Sequence, residues 1–118
     1  MRSATAVLLL ALTASSACGQ ATTRPERPSW VSALIRKLEG EPVANPPASI
    51  ARYVYRGDTV YYRPPRCCDI QSVVFDKVGK VMCAADGGMT GRGDGRCPDF
   101  FETRREETIV WRDSRGGA

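Results

Sequence analysis

A glycine-rich segment framed by two cysteines carries the residues of this chain that are best suited to chemistry. It runs from Cys83 to Cys97 and continues to Asp99, and we name residues 83–99 the glycine-rich loop. Its acidic, hydroxyl and glycine positions are Asp86, Gly87, Gly88, Thr90, Gly91, Gly93, Asp94, Gly95 and Asp99. Oxygen atoms of carboxylates, hydroxyls and carbonyls bind hard cations, while glycine permits the positive φ of tight turns. The loop is therefore a candidate site for a ligand.

Calcium is one interpretation of this loop, because three carboxylates and a threonine hydroxyl could supply oxygen ligands. In EF-hand register from Asp86, Gly91 falls on the glycine of position six and Asp94 on position nine. Cys97 occupies position twelve, so the bidentate glutamate is missing, and two arginines offset part of the negative charge. Calcium is thus a weaker alternative, and we predict no bound metal and no cofactor.

Two further interpretations explain the same residues. Arg92-Gly93-Asp94 is an integrin-type tripeptide, repeated at Arg56-Gly57-Asp58, but a tripeptide occurs easily by chance. The pattern favours a rigid turn in which glycines take positive φ and aspartates accept hydrogen bonds from neighbouring backbone N–H groups. Binding concentrates on such ordered loops, so recognition of an unidentified ligand stays open.

Four cysteines, Cys67, Cys68, Cys83 and Cys97, form an even set that could close two disulfides in an oxidising compartment. A Cys83–Cys97 bridge would restrict the unfolded loop, a stabilisation on the order of 3 kcal/mol. A vicinal Cys67–Cys68 bridge would be strained. The alternative pairs each loop cysteine with one member of the doublet, and we favour this cross-pairing because adjacent cysteines point in different directions.

The N-terminal segment has the composition of an export signal. Arg2 precedes an apolar run from Ala6 to Leu12, and small residues lead into Cys18. The run is too short to span a bilayer, so we predict a removable signal peptide at residues 1–17. Cys18 is then the lipidation site. Acyl chains on it would anchor the protein to the membrane, since each buried methylene contributes about 0.8 kcal/mol.

The sequence around the cleavage site leaves an alternative open. A lipobox usually carries Leu three residues before its cysteine, and this chain has Ser15 there. Ordinary cleavage after Ala17 or Ala21 would instead release a soluble periplasmic protein. Gly19 is not the aspartate that usually retains lipoproteins in the inner membrane. We therefore expect anchoring at the outer membrane, with the domain facing the periplasm.

Composition argues against several classes of function. The chain has 118 residues and a net charge of +4, and loss of Arg2 leaves 16 basic against 13 acidic residues. These charges are scattered, unlike the basic stripe of a nucleic-acid-binding protein. The absence of histidine removes the usual general base and the commonest transition-metal ligand. An enzyme would need two carboxylates facing a cleft at roughly 5–10 Å. The candidates are Asp69, Asp86, Asp94 and Asp99.

Helical spacing predicts one helix after a polar tether at residues 18–27. Its apolar face comprises Trp30, Leu34, Ile35 and Leu38. We predict Ser29 as its N-cap and Gly40 as its C-terminal stop. That face should pack on a sheet.

Period-two patterns predict strands at residues 50–56, 59–63, 72–76, 80–84 and 108–112. Gly57-Asp58 should supply the first hairpin turn and residues 77–79 the second. Residues 98–107 fit either burial of two phenylalanines or a short exposed helix, and residues 114–118 should form a flexible tail. The prediction is a single α+β domain at residues 28–113. It has one N-terminal helix packed on an antiparallel sheet of about five strands and is stabilised by disulfides.

Two sets of side chains on the first hairpin are further binding candidates. Tyr53, Tyr55, Tyr61 and Tyr62 could stack on sugars, although strand tyrosines are more often half-buried sheet residues. Arg52, Arg56, Arg63 and Arg66 could meet anionic polymers or simply form a solvated face.

The order of motifs resembles a known family. The motifs are Tyr53-x-Tyr55-x-Gly57, Cys67-Cys68-Asp69, Phe75-Asp76-x-x-Gly79 and Asp86-Gly87-Gly88-x-Thr90-Gly91-x-Gly93-Asp94-Gly95-x-Cys97-Pro98-Asp99-Phe100. From about Trp30 to Trp111 the chain resembles small bacterial envelope lipoproteins classed as a domain of unknown function. The resemblance implies an envelope protein with this loop, and it brings no known activity.

These features predict an exported lipoprotein that acts as a non-enzymatic binding or structural module with an unknown ligand. Its expected partner is the membrane, through Cys18, and not nucleic acid. The alternatives are a carboxylate hydrolase without histidine and a small inhibitor that presents a cystine loop to a protease. The oligomeric state stays open.

Overall fold

The structure, a computed structural model, describes Ala11, residues 26–66 and residues 69–116. Apart from Ala11, the predicted signal peptide lies outside the described residues, as do Cys18, Cys67 and Cys68. No helix within the described ranges combines the length and the apolar character that a membrane span requires.

Helix α1 (Ser29–Glu39) forms where the apolar spacing predicts it. The side chains of its inner face are Trp30, Val31, Leu34, Ile35 and Leu38. The N-cap prediction is wrong, because Pro28 holds the N-cap position and Ser29 is the first helical residue. The carbonyl of Pro28 accepts the N–H of Val31 at 3.0 Å. Gly40 follows the helix as predicted, with a right-handed φ of −78°.

Five antiparallel strands follow α1. They are β1 (Ser49–Tyr55), β2 (Asp58–Arg63), β3 (Val73–Phe75), β4 (Val81–Cys83) and β5 (Arg105–Arg112). Their order in the sheet is β4-β3-β2-β1-β5, so the last strand pairs with the first and β4 and β5 are the edges. A short helix, α2 (Phe100–Thr103), precedes β5, and a 3-10 helix (Ser114–Gly116) follows it. The predicted α+β fold with five antiparallel strands is confirmed.

The first hairpin turns one residue earlier than predicted. Arg56 and Gly57 are the two central residues of the turn, with φ values of 51° and 79°, and Tyr55 pairs with Asp58 across it. A two-residue turn of this type needs positive φ at both positions. The Arg56-Gly57-Asp58 tripeptide is therefore part of a hairpin. The second hairpin forms across residues 77–79 as predicted.

The stretch that the sequence left open, residues 98–107, contains α2 and the start of β5. β5 begins at Arg105 rather than at Thr108, and Glu106 has a positive φ of 58°. The pairing of β5 with β1 shifts register at two points. Bulges and charged side chains of this kind protect a sheet edge from pairing with other chains.

The sheet is covered on both faces, because successive side chains of a strand point to opposite sides. On the helix face, α1 packs against Ile50 and Tyr61. On the opposite face, which we name the loop face, lies a second buried cluster. Its members are Ala51, Tyr53, Tyr55, Val60, Tyr62, Val74, Cys83, Ala85, Cys97 and Phe100. The glycine-rich loop and α2 thus supply a third layer that the sequence did not predict.

The C-terminal segment, predicted to be a flexible tail, contacts the end of α1. Arg115 donates to the main-chain carbonyls of Glu39 at 2.9 Å and Leu38 at 3.3 Å, at the C-terminal end of the helix. The carbonyl of Leu38 also accepts the N–H of Glu41 at 3.2 Å. It also donates to the buried carboxylate of Asp113 at 2.8 Å. These bonds from Arg115 lower the pKa of Asp113. Residues 114–116 therefore fasten β5 to α1.

Candidate functional site

A disulfide bond between Cys83 and Cys97 closes the glycine-rich loop, with the two Cα atoms 6.1 Å apart. Both half-cystines are buried, at 1% and 4% exposure. The predicted cross-pairing with the Cys67-Cys68 doublet is therefore wrong. The reason is that the chain after β4 folds back on itself, since the N–H of Asp94 donates to the carbonyl of Ala84 at 3.0 Å. This return brings the ends of the loop together without the doublet.

Glycines determine the path of this loop. All five, from Gly87 to Gly95, have φ between 67° and 77°, the left-handed region that other residues rarely adopt. At Gly93 space is also limiting, because a Cβ atom there would lie 2.0 Å from the carbonyl oxygen of Ala84. At Gly91 a Cβ atom would meet nothing within 4 Å. The loop thus takes the positive φ values that its sequence predicts.

Two acids of the loop bind tyrosines of the first hairpin. Asp86 accepts the hydroxyl of Tyr62 at 2.9 Å, and Asp99 accepts the hydroxyl of Tyr55 at 2.5 Å and the guanidinium of Arg56 at 3.3 Å. Burial and the bond to Asp99 raise the pKa of Tyr55 to about 12, while the bond from Tyr55 lowers the pKa of Asp99. Burial and the bond to Asp86 raise the pKa of Tyr62. These carboxylates fasten the loop to the sheet.

Asp94 and Thr90 make their hydrogen bonds within the loop. The carboxylate of Asp94 accepts the backbone N–H of Arg96 at 3.0 Å and its side-chain Nε–H at 2.8 Å, and these bonds lower the pKa of Asp94. The hydroxyl of Thr90 accepts the N–H of Arg92 at 3.2 Å. The residues that the weaker calcium alternative would need as ligands thus have separate partners. Within the part of the chain that the structure describes, no three His, Cys, Asp or Glu side chains meet as a metal site.

Ser72 fixes the entrance of the loop, and sequence reasoning missed it. Its buried hydroxyl accepts the N–H groups of Ala85 at 3.0 Å and Asp86 at 3.1 Å. Its own N–H donates to the carbonyl of Asp86 at 3.0 Å. No sequence pattern marks this serine, because its partners come close only after the loop has folded back beside β3.

Phe100 lies at the centre of the loop face and packs against three of the four tyrosines of the first hairpin. Its fully buried ring has its centroid 5.7 Å from that of Tyr53, 5.2 Å from that of Tyr55 and 5.3 Å from that of Tyr62. The fourth tyrosine, Tyr61, is buried on the helix face. The hypothesis of an exposed sugar-stacking platform is therefore wrong, because all four rings lie in the two cores.

The four arginines of the first hairpin do not form one binding surface. Their contacts include Arg52 with Thr108, Arg56 with Asp99 and Arg66 with Glu41. Arg63 is half-buried, and burial followed by the charge of Arg66 lowers its pKa. Since the partners belong to different parts of the fold, these arginines support the structure locally.

A groove of about 670 Å³ is lined by the glycine-rich loop, residues 69–73 and the edge strand β4, with Arg63 at the end of β2, and we name it the edge groove. Residues that line it include Arg63, Ile70, Val81, Met89, Thr90 and Asp94. Ile70 is 49% exposed, Val81 52% and Met89 94%. Small-molecule sites commonly enclose about 300–1,000 Å³ with a few polar groups among apolar ones. The size and lining of the edge groove suit ligand binding.

The sheet, the amphipathic helix on one face and the disulfide-closed loop on the other define a small α+β domain with a candidate binding groove. The chain belongs to the family DUF6970, a domain of unknown function whose family model matches residues 36–113. The match includes the whole sheet and the loop, and it begins inside α1. No curated protein and no solved structure matches the chain.

Proposed function

We propose that this protein is an exported, lipid-anchored component of the bacterial cell envelope that binds a ligand in the edge groove and catalyses no reaction. The observation that carries the proposal is a loop locked to the sheet by a buried disulfide and two Tyr–Asp hydrogen bonds. Three exposed apolar side chains, one of them on the loop itself, line the edge groove.

The disulfide and the N-terminal sequence together support the proposal that the domain lies in the periplasm. Disulfides persist in oxidising environments such as the bacterial periplasm, and Cys83–Cys97 is buried in the loop-face core. Cys18 follows an apolar run and a set of small residues, as a lipidated cysteine does. A tether of residues 18–27 would then join the membrane anchor to α1. Outer-membrane anchoring is the proposal, and a soluble periplasmic protein is the alternative.

The electrostatics of the loop argue against a general acid at two of the four candidate carboxylates. A general acid needs a carboxyl group whose pKa is raised, whereas the pKa values of Asp94 and Asp99 are both lowered by their hydrogen-bond donors. Asp69 and Asp94 both line the edge groove. Asp94 is held by Arg96 at 2.8 Å, so it is a poor candidate for proton transfer.

The shape and rigidity of the groove favour binding. Clustered exposed apolar side chains mark interaction sites, and Ile70, Val81 and Met89 line one groove. A rigid loop also loses little conformational entropy when a ligand binds, which improves affinity. A partner that covers these side chains would remove apolar surface from water.

Photo-cross-linking in cells tests the recognition surface. Met89 or Ile70 is replaced by a photoreactive phenylalanine, and Val78 serves as the control because it is 70% exposed and does not line the groove. We expect irradiation to give a discrete cross-linked product from the two groove positions and none from the control. Equal products from all three positions, or none from the groove, would contradict the proposed site.

Metabolic labelling tests the anchor separately. A fatty-acid analogue should label the wild-type protein and leave Cys18→Ser unlabelled. Recovery of unlabelled wild-type protein in the soluble periplasmic fraction would rule out lipidation and would leave the groove proposal unaffected.

A further inference from the structure

Two methionines of the domain lie in contrasting surroundings. Met89 is 94% exposed, the highest value among the large apolar side chains in the described ranges. Met82, in β4, packs against the loop-face core and is half-buried. A thioether is oxidised where the oxidant can reach its sulfur atom. The two sulfur atoms should therefore differ strongly in reactivity.

The backbone around Met89 is held by bonds that do not involve its side chain. The N–H of Gly91 donates to the carbonyl of Gly88 at 3.2 Å, and the N–H of Gly87 donates to the carbonyl of Gly91 at 3.3 Å. These bonds bracket the methionine on both sides. Chemical change at its sulfur atom therefore leaves the hydrogen bonds of the loop in place.

We propose that Met89 is an oxidation site of this protein, modified by peroxides without loss of the fold. One oxygen atom passes from the peroxide to the sulfur atom as the O–O bond breaks. The sulfur atom loses two electrons, and hydrogen peroxide is reduced to water. The product, methionine sulfoxide, is polar and chiral, and methionine sulfoxide reductases convert it back to methionine.

Oxidation of Met89 would change the edge groove, which Met89 lines together with Ile70 and Val81. Oxidation replaces one of its three exposed apolar side chains by a polar one. The groove would thus become less apolar under oxidative conditions and regain its character on reduction. The reactivity of Met89 does not depend on the proposed function, because it follows from exposure and sulfur chemistry alone.

Peptide mapping by mass spectrometry during exposure to hydrogen peroxide tests this inference. In the full chain, digested with a protease that cleaves before Asp86 and so separates the two methionines, we expect the peptide with Met89 to gain one oxygen atom several-fold faster than the peptide with Met82. Met82→Leu should leave the rate at Met89 unchanged, and Met89→Leu should remove the fast reaction. Equal rates at the two positions, or a faster rate at Met82, would overturn the assignment.

Thermal melting of the same samples tests the second half of the inference. When Met89 is fully oxidised and Met82 is still mostly unmodified, the melting temperature should equal that of the untreated protein. A fall in melting temperature in step with oxidation of Met89 would show that the side chain is structural, and it would overturn the claim that the fold is retained.

Discussion

The two faces of the sheet are covered by layers of different kinds. On the helix face, α1 buries Val31, Ile35 and Leu38 at helical spacing against the sheet. On the loop face, the glycine-rich loop contributes a disulfide and the short helix α2 contributes Phe100 to the core against the same sheet. The first layer is a single regular helix with similar apolar side chains. The second combines a disulfide, side-chain hydrogen bonds and a central aromatic ring, so single substitutions there should have large and unequal effects.

Replacement of Phe100 should give the largest effect of a single substitution on the loop face. Phe100→Ala should lower the free energy of unfolding by about 3–5 kcal/mol, because it leaves a cavity among three tyrosine rings. Phe101→Ala is the matched control, since Phe101 is 44% exposed, and it should have a smaller effect. Urea unfolding measures both. Equal losses would show that Phe100 is not the anchor of this layer.

Two glycines of the loop separate backbone strain from close packing. Gly91→Ala should cost about 1–2 kcal/mol, because an alanine is forced to positive φ in otherwise open space. Gly93→Ala should cost roughly 1–3 kcal/mol more, because its Cβ atom would also overlap the carbonyl of Ala84. Urea unfolding compares them. If Gly93→Ala proves no worse than Gly91→Ala, the loop does not fold back on Ala84 as described.

On the helix face, the end of α1 also depends on one specific contact, the ion pair between Asp113 and Arg115. The bonds from Arg115 lower the pKa of Asp113 in the folded protein below the value of about 3.9 expected in the unfolded chain. The pair therefore contributes fully above the unfolded pKa, and its contribution is lost as the pH falls through the lowered folded pKa.

Melting temperatures between about pH 5 and pH 2 should reveal this contribution. The wild type should lose more stability over that range than Asp113→Asn, which has no carboxylate to protonate at this position. Arg115→Ala should bring the acid sensitivity close to that of Asp113→Asn. Identical pH profiles for the wild type and both variants would show that the contact does not hold α1.

Calcium should not change the stability of the protein measurably. A site saturated at one hundred times its Kd would add about 2.7 kcal/mol to the stability. We expect melting curves in millimolar calcium and in chelator to coincide, because Asp86, Asp94 and Asp99 have separate hydrogen-bond partners. A calcium-dependent rise in melting temperature that Asp94→Asn abolishes would make the loop a metal site.

The two layers also differ in how far the sequence predicts them. The helix face followed from apolar spacing, since Ile35 and Leu38 repeat with the period of a helix. The strands followed from alternation, although the first turn began at Arg56 and β5 at Arg105. These boundaries depend on backbone φ and on bulges, which residue types specify only weakly.

The sequence predicted only part of the loop face. Glycines and cysteines indicated a constrained loop, but its path depends on contacts between residues far apart in the chain, such as Tyr62 with Asp86. Tyrosines considered for binding are core residues, because the loop that covers them has no periodic pattern. The edge groove was missed for the same reason, since Val81 and Met89 meet there only in the folded chain.

Hydrogen exchange on the double variant Cys83→Ala/Cys97→Ala compares the two layers most directly. Loss of the disulfide that closes a loop of this length lowers the free energy of unfolding by on the order of 3 kcal/mol. The N–H groups of Gly93 and Asp94, which bond across the loop, should lose their protection, while amides of α1 such as that of Ile35 stay protected. Simultaneous loss of protection on both faces, or full protection of Asp94 without the disulfide, would contradict a loop layer that depends on its covalent closure while the helix layer does not.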